Sequence, residues 1–303
     1  MAEERINSRS AVGSLTEGRR PKLGKLESLI RVSKRKPLGA VGGAIIIAMI
    51  LIAFAAPLIS THSPTVTNYR AVLAAPSTDM LLGGDQIGRD VFSRLVYGTR
   101  ISLFVGTLSV AFGVTIGFAV GLISAYFGGK MDLIIQRLID ALMSFPTLIL
   151  ALSIMALLGA SITNVVIALS VVFVPEIART IRAQALSIKE SEYVLAARAV
   201  GVGDWRIMFR HMAPNLTATF IVLATVSLGW AIVVEASLSF LGVGVPLSTP
   251  TWGGMLTGAT RYMEIAPWVA IFPGLAIALV VFAVNLLGDV LRDVLDPRMR
   301  GAS

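Results

Sequence analysis

Four carboxylates stand beside the long apolar runs of this 303-residue chain: Asp140, Glu176, Glu235 and Asp289. A carboxylate held at membrane depth is costly unless paired or hydrated, so such groups either brace span ends in structural or interfacial contacts or line a translocation path; none of these four is placed like a mid-span proton relay. All four are expected at the ends of spans, where water or a neighbouring cation is in reach. The residue types for bond-making chemistry are missing. Cysteine is absent, which removes thiolate nucleophiles, disulfides and thiolate metal sites. His62 and His211 lie far apart and give no histidine-based metal site. No GxxxxGK[ST] phosphate loop occurs, and GGK at 128–130 lacks both its spacing and its hydroxyl. No HExxH pair or GxSxG elbow is present either. No residue is therefore assigned a catalytic or metal-binding role, and any nucleotide belongs to another chain.

The elements that hold those carboxylates are membrane helices. The composition is 55% hydrophobic and only 15% charged, against about 25% charged in an average soluble domain. Residues 37–60, 101–129, 141–175, 212–234 and 265–288 carry no charge, and each reaches the roughly 18–20 residues that cross a bilayer. The third run is too long for one helix, and LGASITN near its middle reads as a turn. Six spans result, near 38–60, 101–127, 137–158, 162–181, 214–234 and 266–288. Pro146, Pro175 and Pro273 read as kinks. Residues 236–260 are also uncharged, but their Gly, Pro, Ser and Thr content reads as an external or re-entrant loop beside a pathway exit.

Six spans put both termini on one side. That side holds all of the 26 Lys and Arg except Arg70, Arg89, Arg94, Arg100 and Arg261, and positive residues mark the cytoplasmic face. The net charge of +8 is therefore a topology signal and implies no nucleic acid. The apolar run at 38–60 is longer than a signal-peptide core and reads as a retained anchor. The organisation expected is a cytoplasmic tail over 1–37, a membrane domain over 38–290 and a cytoplasmic tail over 291–303. Within the first tail, residues 23–36 suit a basic helix lying on anionic lipid headgroups. Gly113, Gly117 and Gly121 fall on one face of the second span, and Gly39 and Gly43 repeat the spacing in the first. Both pairs of helices can then pack backbone to backbone.

Between the fourth and fifth spans, the loop 182–214 contains SEYVLAARAVGVGDWRIMFRHMAPN. Residues 187–200 favour helix. Gly201 and Gly203 permit the left-handed backbone that reverses a chain, and Asp204 suits the cap of a second helix. Leu195, Ala196, Ala199 and Val200 offer a low apolar face, with Glu192 and Arg198 beside it. Small side chains at the centre and charges at the rim suit insertion into a partner's cleft; the alternative is an amphipathic loop resting on the headgroups, and the mixed sign of the charges favours the cleft. In the external loops 61–100 and 235–265, the notable cluster is Asp85, Arg89, Asp90 and Arg94. It reads as a solvated ion-pair network or as contact points for an extracytoplasmic partner.

These residues carry a resemblance. AARAVG at 196–201, followed by HMAP at 211–214, resembles the EAA motif of ABC-importer permeases. Leu195 stands where that motif has Glu, and His211 and Ala213 replace its Ile and Leu before Pro214. GGDQIGRDVFSRLVYGTRISL, AYFGGKMDLIIQRLIDALMSFP, EASLSFLGVGVP, TWGGML, APWVAIFPGLAIAL and NLLGDVLRDVLDPR extend the match over about residues 30–298. They are similar to the C-type permease subunit of dipeptide, oligopeptide and nickel ABC importers.

The resemblance implies an all-α, six-span type I importer permease in a bacterial or archaeal inner membrane. A homologous permease would complete the pore as a heterodimer. Two cytoplasmic ATPases would hold the ATP and Mg, and an extracytoplasmic binding protein would deliver the cargo. Glu192, Ala196, Ala197, Arg198, Gly201, Asp204 and Pro214 would couple to an ATPase. Closure of the ATPase pair would turn the pore outward, and hydrolysis would reset it. Glu235, Asp140 and Asp289 are the candidates for the pathway or its gate. The cargo stays open among dipeptides, longer peptides, a nickel chelate, glutathione and others. An ATP-independent secondary transporter or channel is the alternative; it calls for mid-membrane acids or inverted repeats.

Overall fold

The computed structural model describes residues 37–295. The basic helix expected at 23–36 and residues 296–303 lie outside that range. Eight helices organise the described chain: α1 Pro37–Ile59, α2 Val91–Phe127, α3 Gly129–Met143, α4 Thr147–Leu158, α5 Ile162–Lys189, α6 Glu192–Ala199, α7 Ala213–Phe240 and α9 Trp268–Leu295, with a short α8, Trp252–Leu256, between the last two of the long ones. The only β pairing among the described residues is a bridge between Gly84 and Asp90.

The helices outrun the charge-free segments. Helix α2 begins at Val91, where the Asp90 side chain accepts from the Ser93 N–H at 2.9 Å. Its 37 residues extend for about 55 Å at 1.5 Å per residue, well beyond a hydrocarbon core of about 30 Å. The external loop expected at 61–100 therefore ends at residue 90. Helix α5 likewise runs on to Lys189 and α7 to Phe240. The expected C-terminal tail is still helical through Leu295.

Among the described residues, five helices are long and apolar enough to span a membrane. A sixth span exists only as a broken pair: α3 and α4 meet at a 91° bend. The third span expected over 137–158, with a kink at Pro146, is thus corrected to two helices meeting at a sharp break. Pro146, at the start of α4, supplies no N–H to continue α3, and it disfavours helical backbone at Phe145. Pro175 and Pro273, by contrast, lie inside helices that continue through them. At LGASITN the chain does break as expected. Helix α4 ends at Leu158, Gly159 takes φ +82°, and Ser161 caps α5 by accepting from the Asn164 N–H at 3.1 Å.

Helices α2 and α5 form the central pair. Gly113, Gly117 and Gly121 are all buried against α5. A Cβ on Gly117 would lie 2.7 Å from Ile177 Cβ, and one on Gly121 would collide with the Ala178 carbonyl oxygen. Around this seam Val114, Leu122, Leu169, Ile177 and Ile181 are buried in one apolar cluster. Helix α1 packs through Gly39 and Gly42 against α9, where Gly42 approaches the Ala283 carbonyl. Gly43, expected in that role, sits 4.0 Å from Leu287 and is less enclosed.

Candidate functional site

The segment between α5 and α7 folds as a compact unit at one end of α2. Helix α6 spans only two turns, so its phase decides what it presents. Val194 and Ala197 are buried, in the same apolar cluster as Ile207, Met208 and Met212. Glu192, Leu195, Ala196, Ala199 and Val200 face outward, with Val200 78% exposed. The outward face is therefore small and mostly apolar. Ala197, expected among the docking contacts, belongs to the seat beneath the helix.

The exit from α6 is a Schellman turn. The Val202 N–H donates to the Ala197 carbonyl at 3.1 Å and the Gly201 N–H to the Arg198 carbonyl at 3.0 Å. Gly201 carries φ +78°, which a residue with a Cβ adopts only at a cost. Gly203 is extended at φ −64° and needs no special freedom. Asp204 does not cap the next helix, because Gly203 holds that position. Its carboxylate instead accepts from the Tyr126 hydroxyl at 2.6 Å.

That bond belongs to a brace on the end of α2. The Arg198 guanidinium lies 5.4 Å from the centre of the Tyr126 ring, within cation–π range. Lys189 donates to the Ala125 carbonyl at 3.2 Å. Past the α-turn Asp204–Arg206, residues Ile207–Met212 wind as a π-helix and run directly into α7, with Pro214 in its first turn. The α6 unit is therefore joined to both α2 and α7. Trp205 and Phe209 escaped the sequence reading. They stack with ring centres 5.8 Å apart and are 60% and 53% exposed. The available signal was their i, i+4 spacing in DWRIMF.

Two ion pairs brace the bent α3 against α5. Asp132 takes a two-pronged bond from Arg182, at 2.6 Å from Nε and 2.5 Å from Nη2. Asp140 pairs with Arg179. Asp140 thus holds two helices together, and Asp289 is exposed toward the end of α9.

At the other end of α2, the acid–base cluster is buried rather than solvated. Asp85 accepts from the Arg89 N–H at 2.9 Å and from Arg89 Nε at 2.6 Å, and Arg94 Nε lies 3.7 Å away. The two guanidinium groups reach the Leu247 carbonyl, and Arg94 also reaches that of Pro64. All of Asp85, Arg89, Asp90 and Arg94 are buried. They tie three loop segments together and offer little surface to a partner; Tyr69 and Ile87 are among the exposed side chains nearby.

Glu235 is corrected in the same way. It has no exposure and accepts from Ser239 at 2.8 Å and from Ser102 at 3.3 Å. Above it the 236–260 run, expected to line an exit, folds back as α8, whose Trp252 is fully buried and donates to the Leu95 carbonyl at 3.2 Å. Glu235→Ala is expected to strand both hydroxyls, at about 1–3 kcal/mol, and to lower the melting midpoint in detergent by several degrees. Glu235→Gln, which keeps an acceptor, is expected to lose less in the same melt.

The geometry is that of a helical membrane bundle with a braced, outward-facing helix at one end. Residues 113–301 match the family of binding-protein-dependent transport system inner membrane components, and residues 29–76 match the N-terminal membrane domain of oligopeptide transport permease C. The chain belongs to this permease family. It is 43% identical over 267 residues to a dipeptide transport system permease protein of Alkalihalophilus pseudofirmus, covering 88% of each chain. It is 42% identical over 267 residues to a glutathione transport system permease protein of Pectobacterium atrosepticum, covering 88% of this chain and 89% of the relative. The permease is thus a translocation subunit of an ATP-driven importer in the inner membrane, working with an ATPase and a substrate-binding protein. The family is non-catalytic in itself, and its membership removes the gradient-driven carrier as an alternative.

Proposed function

We propose that this permease forms half of a peptide-conducting pore and that α6 is the coupling helix seated in a cytoplasmic ATPase. A homologous permease completes the pore, one ATPase binds beneath each half, and the ATPases hold ATP and Mg. Both termini and the α6 unit face the cytoplasm, as the distribution of Lys and Arg indicates. The opposite end, with Tyr69 and Ile87 exposed, receives the binding protein. Di- and oligopeptides are the cargo favoured by the relatives' names; a nickel chelate is the second choice from the sequence resemblance.

One observation carries the coupling assignment: an apolar, small-residue helix face is held outward on a seat braced to two spanning helices. A loop resting on lipid has no use for the Tyr126–Asp204 bond or for the turn at Gly201. When the ATPase pair closes, the push on α6 passes through its seat on the π-helical turn into α7, and through Tyr126 into α2. Glu192 and Arg198 flank the contact and set its orientation, and Ala196 lets the surfaces approach closely.

The test is a pair of substitutions at Gly201. No atom lies within 4 Å of a Cβ built there, so the penalty is conformational alone. Valine in the left-handed region costs about 1–2 kcal/mol, whereas asparagine tolerates it. Gly201→Val is expected to reduce uptake per transporter about tenfold in vesicles containing the whole importer, and Gly201→Asn to retain most of it. Wild-type uptake by a fully expressed Gly201→Val importer would falsify the coupling assignment.

A further inference from the structure

A recess between α5, α7 and α9 has no part in the α6 unit and contains an acid without a partner. It measures about 480 Å³, and Phe173 and Glu176 of α5, Ser227, Trp230 and Val233 of α7, and Asn285 of α9 line it. Its four polar residues lie within about one helical turn of the middle of their helices. Glu176 was expected at a span end; because α5 continues to Lys189, it is a mid-helix residue instead.

Among the described residues, none of the side chains of Glu176, Ser227, Trp230 and Asn285 makes a hydrogen bond or ion pair. The next cations along α5 are already engaged, Arg179 with Asp140 and Arg182 with Asp132. Glu176 and Trp230 are exposed in the isolated chain. The recess between α2 and α5 has the opposite character, with Phe104, Leu108, Phe112 and Ile116 in its wall. Hydrocarbon suits those side chains. It does not suit a free carboxylate, amide and hydroxyl, which persist within spanning helices only where water or a solute reaches them.

We infer that this recess is part of the translocation path and that Glu176 receives a cationic group of the cargo, a protonated amine. Trp230 presents a ring to the same cation, and Ser227 and Asn285 supply neutral hydrogen-bonding positions. The inference rests on the importer reading and adds to it a charge preference inside the permease, separate from the choice made by the binding protein.

The chain's lack of cysteine makes the test direct. Ser227→Cys and Asn285→Cys are each placed in the complete importer in vesicles, with accessible cysteines of the other subunits replaced. Thiol modification is timed with a trimethylammonium and with a sulfonate methanethiosulfonate, each rate normalised to a small free thiol. The cationic reagent is expected to react about tenfold faster or more. Adding Glu176→Gln is expected to bring the ratio close to one, and Glu176→Asp to preserve most of it. Phe112→Cys, in the apolar recess, is expected to react with neither. Silence at both recess positions, or a charge preference that survives Glu176→Gln, overturns the inference. Copurification of the ATPase and the second permease is scored in the same preparation, so failure of the importer reading is seen separately.

Discussion

Glutamate in place of Leu195 is expected to cut ATP-driven uptake by about tenfold or more while the chain accumulates in the membrane at its wild-type level. Leu195 is 44% exposed and shares its face with Ala196, Ala199 and Val200. The isolated chain loses little packing when this side chain changes, and exposed substitutions of this kind usually stay within about 0.5 kcal/mol. With α6 seated as proposed, the ATPase covers the same position in the assembled importer. A carboxylate buried there without a partner costs about 1–3 kcal/mol or more, and about 1.4 kcal/mol corresponds to a tenfold loss of binding. Uptake per transporter in vesicles and the amount of ATPase retained after detergent extraction should fall together. Ala197→Glu is a poorer probe. Ala197 is 9% exposed and underlies the helix, so its replacement disturbs the seat as well as the contact.

Gly121→Val is expected to have the other large effect, on assembly of the bundle itself. A Cβ at Gly121 meets the backbone oxygen of Ala178, which cannot rotate away as a flexible side chain can. Overpacking of this kind costs about 1–3 kcal/mol and sometimes more. The α2–α5 seam also carries Gly113 and Gly117, so separation at one glycine loosens its neighbours. Most of the variant should be lost from the monodisperse peak on gel filtration in mild detergent. Gly274→Ala is the matched control. Nothing lies within 4 Å of a Cβ at Gly274, and alanine is favoured over glycine within a helix by about 1 kcal/mol. A Gly121→Val variant that elutes and melts like the Gly274→Ala variant would show that α2 and α5 are not packed as described.

Several parts of this structure were legible because one local force dominates. The LGASITN break follows from a left-handed glycine and a serine cap, both of which act within a few residues. The Gly113–Gly117–Gly121 face follows from spacing alone, since only one partner surface can meet it. The helix ends were less legible. Absence of charge reports what lipid tolerates, whereas a helix continues wherever its backbone bonds are satisfied; hence Glu176 fell mid-helix, although its expected span ended at residue 181. The α3–α4 break was hidden in apolar sequence, where Pro146 alone does not distinguish a kink from a 91° turn.

Burial of charge was the least legible feature. The sequence places Asp85, Arg89 and Arg94 close together in one loop segment and the turn after it, but the carbonyls of Pro64 and Leu247 that complete the knot come from distant loops. Glu235 likewise depends on Ser102, 133 residues away. For α6, an eight-residue helix offers too few repeats to fix which alanine faces inward. Contact with Val194 and the π-helical turn decides it, and that contact is tertiary.

The most direct measurement is thiol crosslinking from α6 within the assembled importer. Leu195→Cys and Ala197→Cys are compared in a chain that has no other cysteine, using a short heterobifunctional reagent that couples a thiol to a neighbouring amine. The coupling account predicts that Leu195→Cys captures the ATPase and that Ala197→Cys, buried beneath the helix, does not. A preparation that hydrolyses ATP and yet gives no ATPase adduct from Leu195→Cys would contradict it.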